Sequence, residues 1–231
     1  MSSSKSTLSD KAILRYMEMG EIIIEPFNIN NLNTSSHDVT LGEYYFREQE
    51  LKDEWVSSIY NIYSKEMVDK VWGKPQEAKP YSYYRDHGIT LENIDPDEKI
   101  IFIGPGETIL AHTNEFIGGV TSCTTMMKAR SSMGRNFINV CSCAGLGDIG
   151  YFNRWTMEIK NNSKKYKIPL IVGRRIAQIV FLDTEGILNK SYNETGKYQT
   201  VKNINELKET WKPDDMIPKL YLEKQPSQQN K

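Results

Sequence analysis

Apolar and polar positions change period three times along the chain. In "LSDKAILRYMEMGE", Ile13, Leu14 and Met17 recur at helical spacing, Ser9 or Asp10 can cap the start, and Gly20 can stop the run. "EIIIEP" then reads as a strand ended by Pro26, and "SHDVTLGEYYF" alternates as another, with a turn expected at Gly42. Residues 51–72, "LKDEWVSSIYNIYSKEMVDKVW", return to the longer period. Trp55 or Val56, Ile59, Tyr63, Met67 and Val71 predict an amphipathic helix there, whose aromatics suit packing against the domain better than a partner surface.

From about residue 98 the pattern turns to short strands. "KIIFIGPGETILAHT" predicts two of them around the turn "GPGE". "FIGGVTSCTTMMKAR", "FINVCSC", "RWTMEIKN" and "IPLIVGRRIAQIVFLD" predict more, separated by Gly, Asn or Pro. Many short strands with turn residues between them indicate a mainly β fold, a sandwich or barrel-like core. "SYNETGKYQ" reads as a loop, and no internal repeat is visible. The expected organisation is one domain over residues 8–222, between a loose tail at 1–7 and a polar tail at 223–231, "EKQPSQQNK" in its last nine residues.

At 39% hydrophobic and 26% charged residues the composition is that of a globular chain. The formal net charge of −1 gives no reason to expect a nucleic-acid polymer or a membrane as partner. "MSSSKST" lacks the apolar stretch of a secretory signal, and no run approaches the ~18 apolar residues of a membrane span. Three cysteines, Cys123, Cys141 and Cys143, suit a reducing compartment. A cytoplasmic protein is expected. Cys141 and Cys143 would share one strand face, which suits two small half-buried residues better than a metal site.

Several chemistries lack their signatures. No histidine among His37, His87 and His112 is followed by x-E, and there is no C-x-x-C, so the zinc deaminase pattern is missing. H-E-x-x-H, the phosphate-binding glycine loop with its Lys, and the G-x-S-x-G elbow are missing too. Ser131 has no histidine near it in sequence, which argues against a nucleophilic serine.

What remains is a set of polar residues in the β-rich half. "KARSSMGRNF" carries Arg130, Ser131, Ser132 and Arg135, which together suit an anion. Asp148 follows in "AGLGDIGYF", where a turn is its plainest use. In "WTMEI" the alternation puts Thr156 and Glu158 on one face and Trp155, Met157 and Ile159 on the other. That leaves Glu158 facing solvent or a cavity, and the pattern by itself favours solvent. Tyr192, Lys197 and Tyr198 come later, in "SYNETGKYQ".

Taken together, these segments resemble the dCTP deaminase branch of the dUTPase superfamily. "NTSSHDVTLG" resembles its P-x-S-Y-D-x-R-L-G, with His37 in place of Tyr, and "GPGETILAHTNEFI" its P-G-E-x-x-L-A-x-T-x-E. "ARSSMGR" resembles R-S-S-L-[AG]-R, and "AGLGDIGYFNRWTMEI" resembles A-G-x-I-D-x-G-[FW]-x-G-x-x-T-L-E-[IL]. "LSDKAIL…GEIIIEPF", "IPLIVGRRIAQIVF" and "GKYQ" fall at fitting positions.

The resemblance implies a dUTPase-like distorted β-barrel or jelly-roll core, built as a homotrimer with active sites between subunits. It implies deamination of dCTP to dUTP and ammonia without a metal at the base. No zinc is expected, and Mg²⁺ would be bound through the triphosphate. Carried onto this sequence, Glu158 matches the general acid/base, Ser131 and Arg135 the residues supporting it, and Asp148 the residue near the sugar. In dUTPases that Asp is the water-activating carboxylate. The substrate-binding set implied is Arg130, Ser131, Ser132, Met133, Gly134, Arg135, Ala144, Asp148, Thr156, Met157, Glu158, Tyr192, Lys197 and Gln199.

The sequence departs from that pattern in places. Gly147 replaces an Ile and should loosen the loop that carries Asp148. Asn153 replaces a Gly, Cys141 stands where many members have His, and Cys143 where Thr is common. Val201 replaces the lid Gln, with Gln199 nearby, and the 51–72 helix is extra relative to compact members. Gly134 and "MIPKL" lean towards the bifunctional type, which continues to dUMP and diphosphate. The competing functions are a dUTPase and a catalytically weak nucleotide-binding or scaffold protein.

Overall fold

The computed structural model describes residues 6–50, 59–142, 144–184, 186–187 and 190–223, apart from the side chains of Asn193 and Thr195. The first half holds β1 (Ile22–Glu25), β2 (Leu32–Asn33), β3 (Ser36–Arg47), β4 (Gln76–Glu77), β5 (Lys79–Pro80), β6 (Lys99–Ile103) and β7 (Thr108–Gly119). The second half holds β8 (Cys123–Ala129), β9 (Ile138–Asn139), β10 (Leu146–Gly147), β11 (Arg154–Asn161), β12 (Ile168–Ile171) and β13 (Arg175–Asp183). The helices are α1 (Asp10–Glu18), α2 (Lys65–Trp72), α3 (Tyr81–Arg85), α4 (Ser131–Arg135), α5 (Tyr192–Thr195) and α6 (Ile204–Thr210).

One large sheet runs β10-β8-β13-β3-β7-β11-β9, with β1 on β7 and both β2 and β4 on β3. A small sheet, β12-β6-β5, stands apart from it. The two strands around "GPGE" form as expected but are not a hairpin: β6 belongs to the small sheet and β7 to the large one. Every pairing in the two sheets is antiparallel, and the result is the mainly β, curled architecture expected from the strand pattern.

The curl turns on β3. Its first half pairs with β13 and its second half with β7, with a register shift between Leu41 and Tyr45. Gly42, expected as a turn, lies inside this continuous strand. A Cβ there would fall 1.9 Å from His112 Cε1, so only glycine lets the two strands approach at the bend. His112 Nδ1 donates to the Thr113 carbonyl (2.8 Å), and its Nε2 accepts from the Tyr44 N–H (3.2 Å). Burial pushes the His112 imidazole down to about 4, which keeps that acceptor neutral.

Asp38 on β3 is another buried fixture. It pairs with Arg130 Nε (3.2 Å) and Arg175 Nη1 (3.3 Å) while its side chain is 3% exposed. Arg130, expected to meet phosphate, is thus held by a carboxylate through Nε while it lines a cleft with Ser131 and Ser132. The main core gathers Ile13, Val39, Ile101, Ile117, Met127, Trp155, Ile159 and Phe181. A second cluster, Phe46, Val68, Leu110, Met216 and Ile217, joins α2 to the chain beyond α6.

The expected helix over 51–72 is shorter. Residues 51–58 lie outside the described residues, 59–64 are not helical, and α2 begins only at Lys65. Ser64 decides the start: it holds extended angles and its hydroxyl accepts from the Met67 N–H (3.4 Å). The buried face is Val68 and Val71, while Tyr63 and Ile59 of the expected stripe are exposed. "FINVCSC" forms only the two-residue β9, Cys141 is half-buried outside it, and Cys143 is not among the described residues. Of the tail expected at 1–7, Thr7 bridges Leu182 and the Ser6 carbonyl accepts from the Asp183 N–H (3.0 Å), while residues 1–5, like 224–231 of the other expected tail, lie outside the described residues.

Candidate functional site

The alternation of β11 is as read: Trp155, Met157 and Ile159 are buried, and Thr156 and Glu158 take the other face. Glu158 stands opposite Leu110 of β7, and Thr156 opposite His112. That face lines a cavity of about 470 Å³, a volume that suits a nucleotide. Thr108, Leu110, Thr156 and Glu158 form one wall. Tyr151, Trp155, Tyr192 and Tyr198 make much of the rest aromatic. Trp72, Met216 and Pro218 line it from outside the sheet, and Ala144, Leu146, Gly147 and Asp148 from the loop before β11.

Glu158 is the group in this cavity with the most unusual environment. Burial raises its carboxyl above the ordinary carboxylate range, and Oε2 is buried with no hydrogen-bond partner among the described residues. A carboxylate of this kind is suited to taking and returning a proton. Asp148 is exposed, so the cavity holds one sheltered and one solvated carboxylate. No cationic side chain is among its described lining residues.

Gly147 does not loosen the Asp148 loop. It is buried in β10, and its carbonyl accepts from Thr124 Oγ1 (2.8 Å) and Thr125 Oγ1 (3.3 Å). A Cβ there would lie 2.3 Å from Thr125 Oγ1 and 2.5 Å from Trp155 Cζ2. The indole of Trp155, anchored by its Nε1–H on the Ile117 carbonyl (2.9 Å), occupies the space an Ile side chain at 147 would need. Gly147→Ile should therefore cost about 1–3 kcal/mol by overpacking, measured by urea denaturation. Adding Trp155→Ile should recover part of that loss.

The carboxy-terminal segment is fastened to the same loop. Gln199 Oε1 accepts from the Phe152 N–H (2.9 Å), and Nε2 donates to the carbonyls of Gly150 (2.9 Å) and Val201 (3.2 Å). Asn153 Nδ2 donates to the Tyr198 carbonyl (3.0 Å), and the Tyr192 N–H to the Ile149 carbonyl (3.0 Å). Gln199 is 3% exposed, and its amide clasps the loop within the chain. The side chain of Met157, also in the expected set, is buried in the main core. Lys197 forms an ion pair with Glu223.

The ten residues around "RSSMGR" lie elsewhere. Ser131, Ser132, Gly134 and Arg135 are exposed on and around α4, and Met133 packs against the main core. Ser131 and Ser132 line a separate cleft with Arg130, Asp38 and Gln178. One chain therefore brings Glu158, Asp148, Thr156, Ala144 and Tyr192 together but not Ser131 or Arg135 with them. Trp72, Thr108, Leu110, Tyr151, Trp155 and Met216 were missed as cavity residues. Tyr151 lay within the resembling motif, but Trp72 and Met216 reach the cavity only through tertiary packing.

A curled, mainly β sheet with an aromatic cavity holding two carboxylates defines the class. Residues 7–184 match the family described as dCTP deaminase-like, more than half of the 231 residues, and the chain belongs to that family. It is 33% identical over 180 residues to a protein of Hydrogenobaculum sp. (strain Y04AAS1) named dCTP deaminase, dUMP-forming. That match covers 78% of this chain and 84% of the relative. A protein of the same name from Methanosphaera stadtmanae is 31% identical over 208 residues, 87% of this chain and 94% of the relative. Among solved structures, 2′-deoxycytidine 5′-triphosphate deaminase from Agrobacterium tumefaciens is similar in fold, with a TM-score of 0.52 at 16% identity. That likeness covers 84% of this chain, which spans about half (54%) of the solved one. No helix among the described residues is long and apolar enough to cross a membrane.

Proposed function

We propose that this protein deaminates dCTP and continues to dUMP, releasing ammonia and diphosphate with two waters consumed. The observation that carries it is Glu158: a carboxyl kept above its ordinary range by burial, with a free oxygen in an aromatic cavity of nucleotide size. At the base, Glu158 takes a proton from water as the oxygen adds to C4 and gives a proton to N3. It then helps deliver a proton to the departing amine as the C4–N bond breaks. Such help is typically worth ~10²–10⁴-fold. Asp148, on the solvated rim, is suited to take the proton of a second water attacking the α-phosphate, and the bond to diphosphate breaks. The names of the two relatives support dUMP as the product.

The described lining of this cavity offers a triphosphate no cationic side chain. Arg135 and Ser131 are exposed and are not among the residues that line the cavity. The reading that satisfies both facts is a shared site in a homotrimer: Glu158 and Asp148 from one copy, the α4 turn from the next. Among the described residues no three His, Cys, Asp or Glu side chains cluster as metal ligands. The exposed Asp148 still fits a Mg²⁺ held chiefly by phosphate oxygens and water. When bound, Mg²⁺ would offset triphosphate charge.

Purified protein with Mg²⁺ and dCTP should yield dUMP without accumulating dUTP, resolved by anion-exchange chromatography. dUTP as the end product would remove the second step. Turnover of dUTP but not dCTP would make the protein a dUTPase. Binding without turnover would make it a sensor.

A further inference from the structure

We infer that Trp72, brought to the cavity by α2, is a specificity-determining residue that presents an aromatic surface to the pyrimidine ring of the nucleotide. The inference rests on the nucleotide reading above and adds a residue to it. Three observations place Trp72 there. α2 lies outside both sheets, yet its last residue lines the cavity together with Glu158. The helix is fixed at both ends, by the Ser64 cap and by the Gln49 N–H on the Val71 carbonyl (2.7 Å). Trp72 also packs on the cluster of Phe46, Val68, Leu110, Met216 and Ile217, and Leu110 is the cross-strand partner of Glu158.

The end of the cavity served by Glu158 must receive the amino-bearing edge of the base. Polar groups there can read that edge, but they give a flat ring no face to rest on. Trp72 supplies one, and base–aromatic stacking typically strengthens binding by about tenfold or more.

The test compares Trp72→Ala, Trp72→Leu and Trp72→Phe with the unaltered protein in steady-state kinetics on dCTP. Inorganic triphosphate serves as a competitive inhibitor that lacks a base. Ala and Leu should each raise KM for dCTP about tenfold or more, with kcat within about threefold, while Phe restores most of the affinity. Inhibition by triphosphate should be unchanged in all three. Leu keeps α2 packed without an aromatic face, so Leu behaving like the unaltered protein would reduce Trp72 to packing and overturn the inference. So would equal weakening of dCTP and triphosphate. If the unaltered protein does not turn over dCTP, the functional reading fails by itself. Calorimetric titration of dCTP into the same variants then decides the role of Trp72, and absence of any binding overturns it.

Discussion

Glu158→Gln is expected to lower deamination of dCTP by about 10³-fold or more while nucleotide affinity stays within a few-fold. Glutamine keeps the shape and the polar end but cannot accept the water's proton, so the transition state loses its shuttle and the ground state loses little. Oε2 has no hydrogen-bond partner among the described residues, so the substitution breaks no contact described at that atom. The measurement is ammonia release under single-turnover conditions beside calorimetric titration of dCTP. Full activity in the variant would sink the role given to Glu158. If Asp148 serves a separate step, the same variant should still convert dUTP to dUMP.

Arg135→Ala should cost about 10²-fold or more in kcat/KM for dCTP, and its loss should be curable in trans. In a cyclic assembly each site would draw Glu158 from one chain and Arg135 from its neighbour. Glu158→Gln and Arg135→Ala chains, each nearly inactive, would unite two intact halves at about one interface in four when mixed equally at random. Recovery of activity on co-refolding, with size followed by light scattering, is the expected result. No recovery from well-assembled mixtures would place both halves in one chain and contradict the shared site. The pH profile adds a second reading. Glu158 must be ionised to take a proton, and burial disfavours that form, so the acid limb of kcat/KM should lie above the ordinary value of 4.5. A guanidinium from the neighbour favours the ionised form, so Arg135→Ala should move that limb further up.

Much of this site could be read before folding because strand alternation carries direction. In "RWTMEIKN" each residue's face follows from its parity, and the face assigned to Glu158 is the one it occupies. The α1 helix was equally legible from Ser9 and Ile13, which cap and bury as expected. Other parts depended on packing that no local pattern expresses. Gly147 looked like slack until the Trp155 indole was found in the space its missing side chain leaves. Gln199 looked like a ligand contact, but its amide lies within reach of three backbone groups of its own chain. Over residues 59–64 the expected helix gives way because Ser64 and the turn at Asn61 compete with apolar spacing. Trp72 could not be assigned at all, since spacing cannot say which aromatic of a helix will reach a distant strand.

The two-sided pairing of β3 also has a consequence for how the chain is made. Asp38 finds its ion pair with Arg175 across 137 residues of sequence. At synthesis rates of ~5–20 residues per second, that partner emerges roughly 7–27 s after Asp38 does. During that interval the first half of β3 is an unpaired strand edge bearing a carboxylate destined for the interior. An edge with a charge on it is poorly suited to joining the wrong neighbour. The residue that locks the finished barrel is thus placed where it can also keep the nascent strand from premature partners.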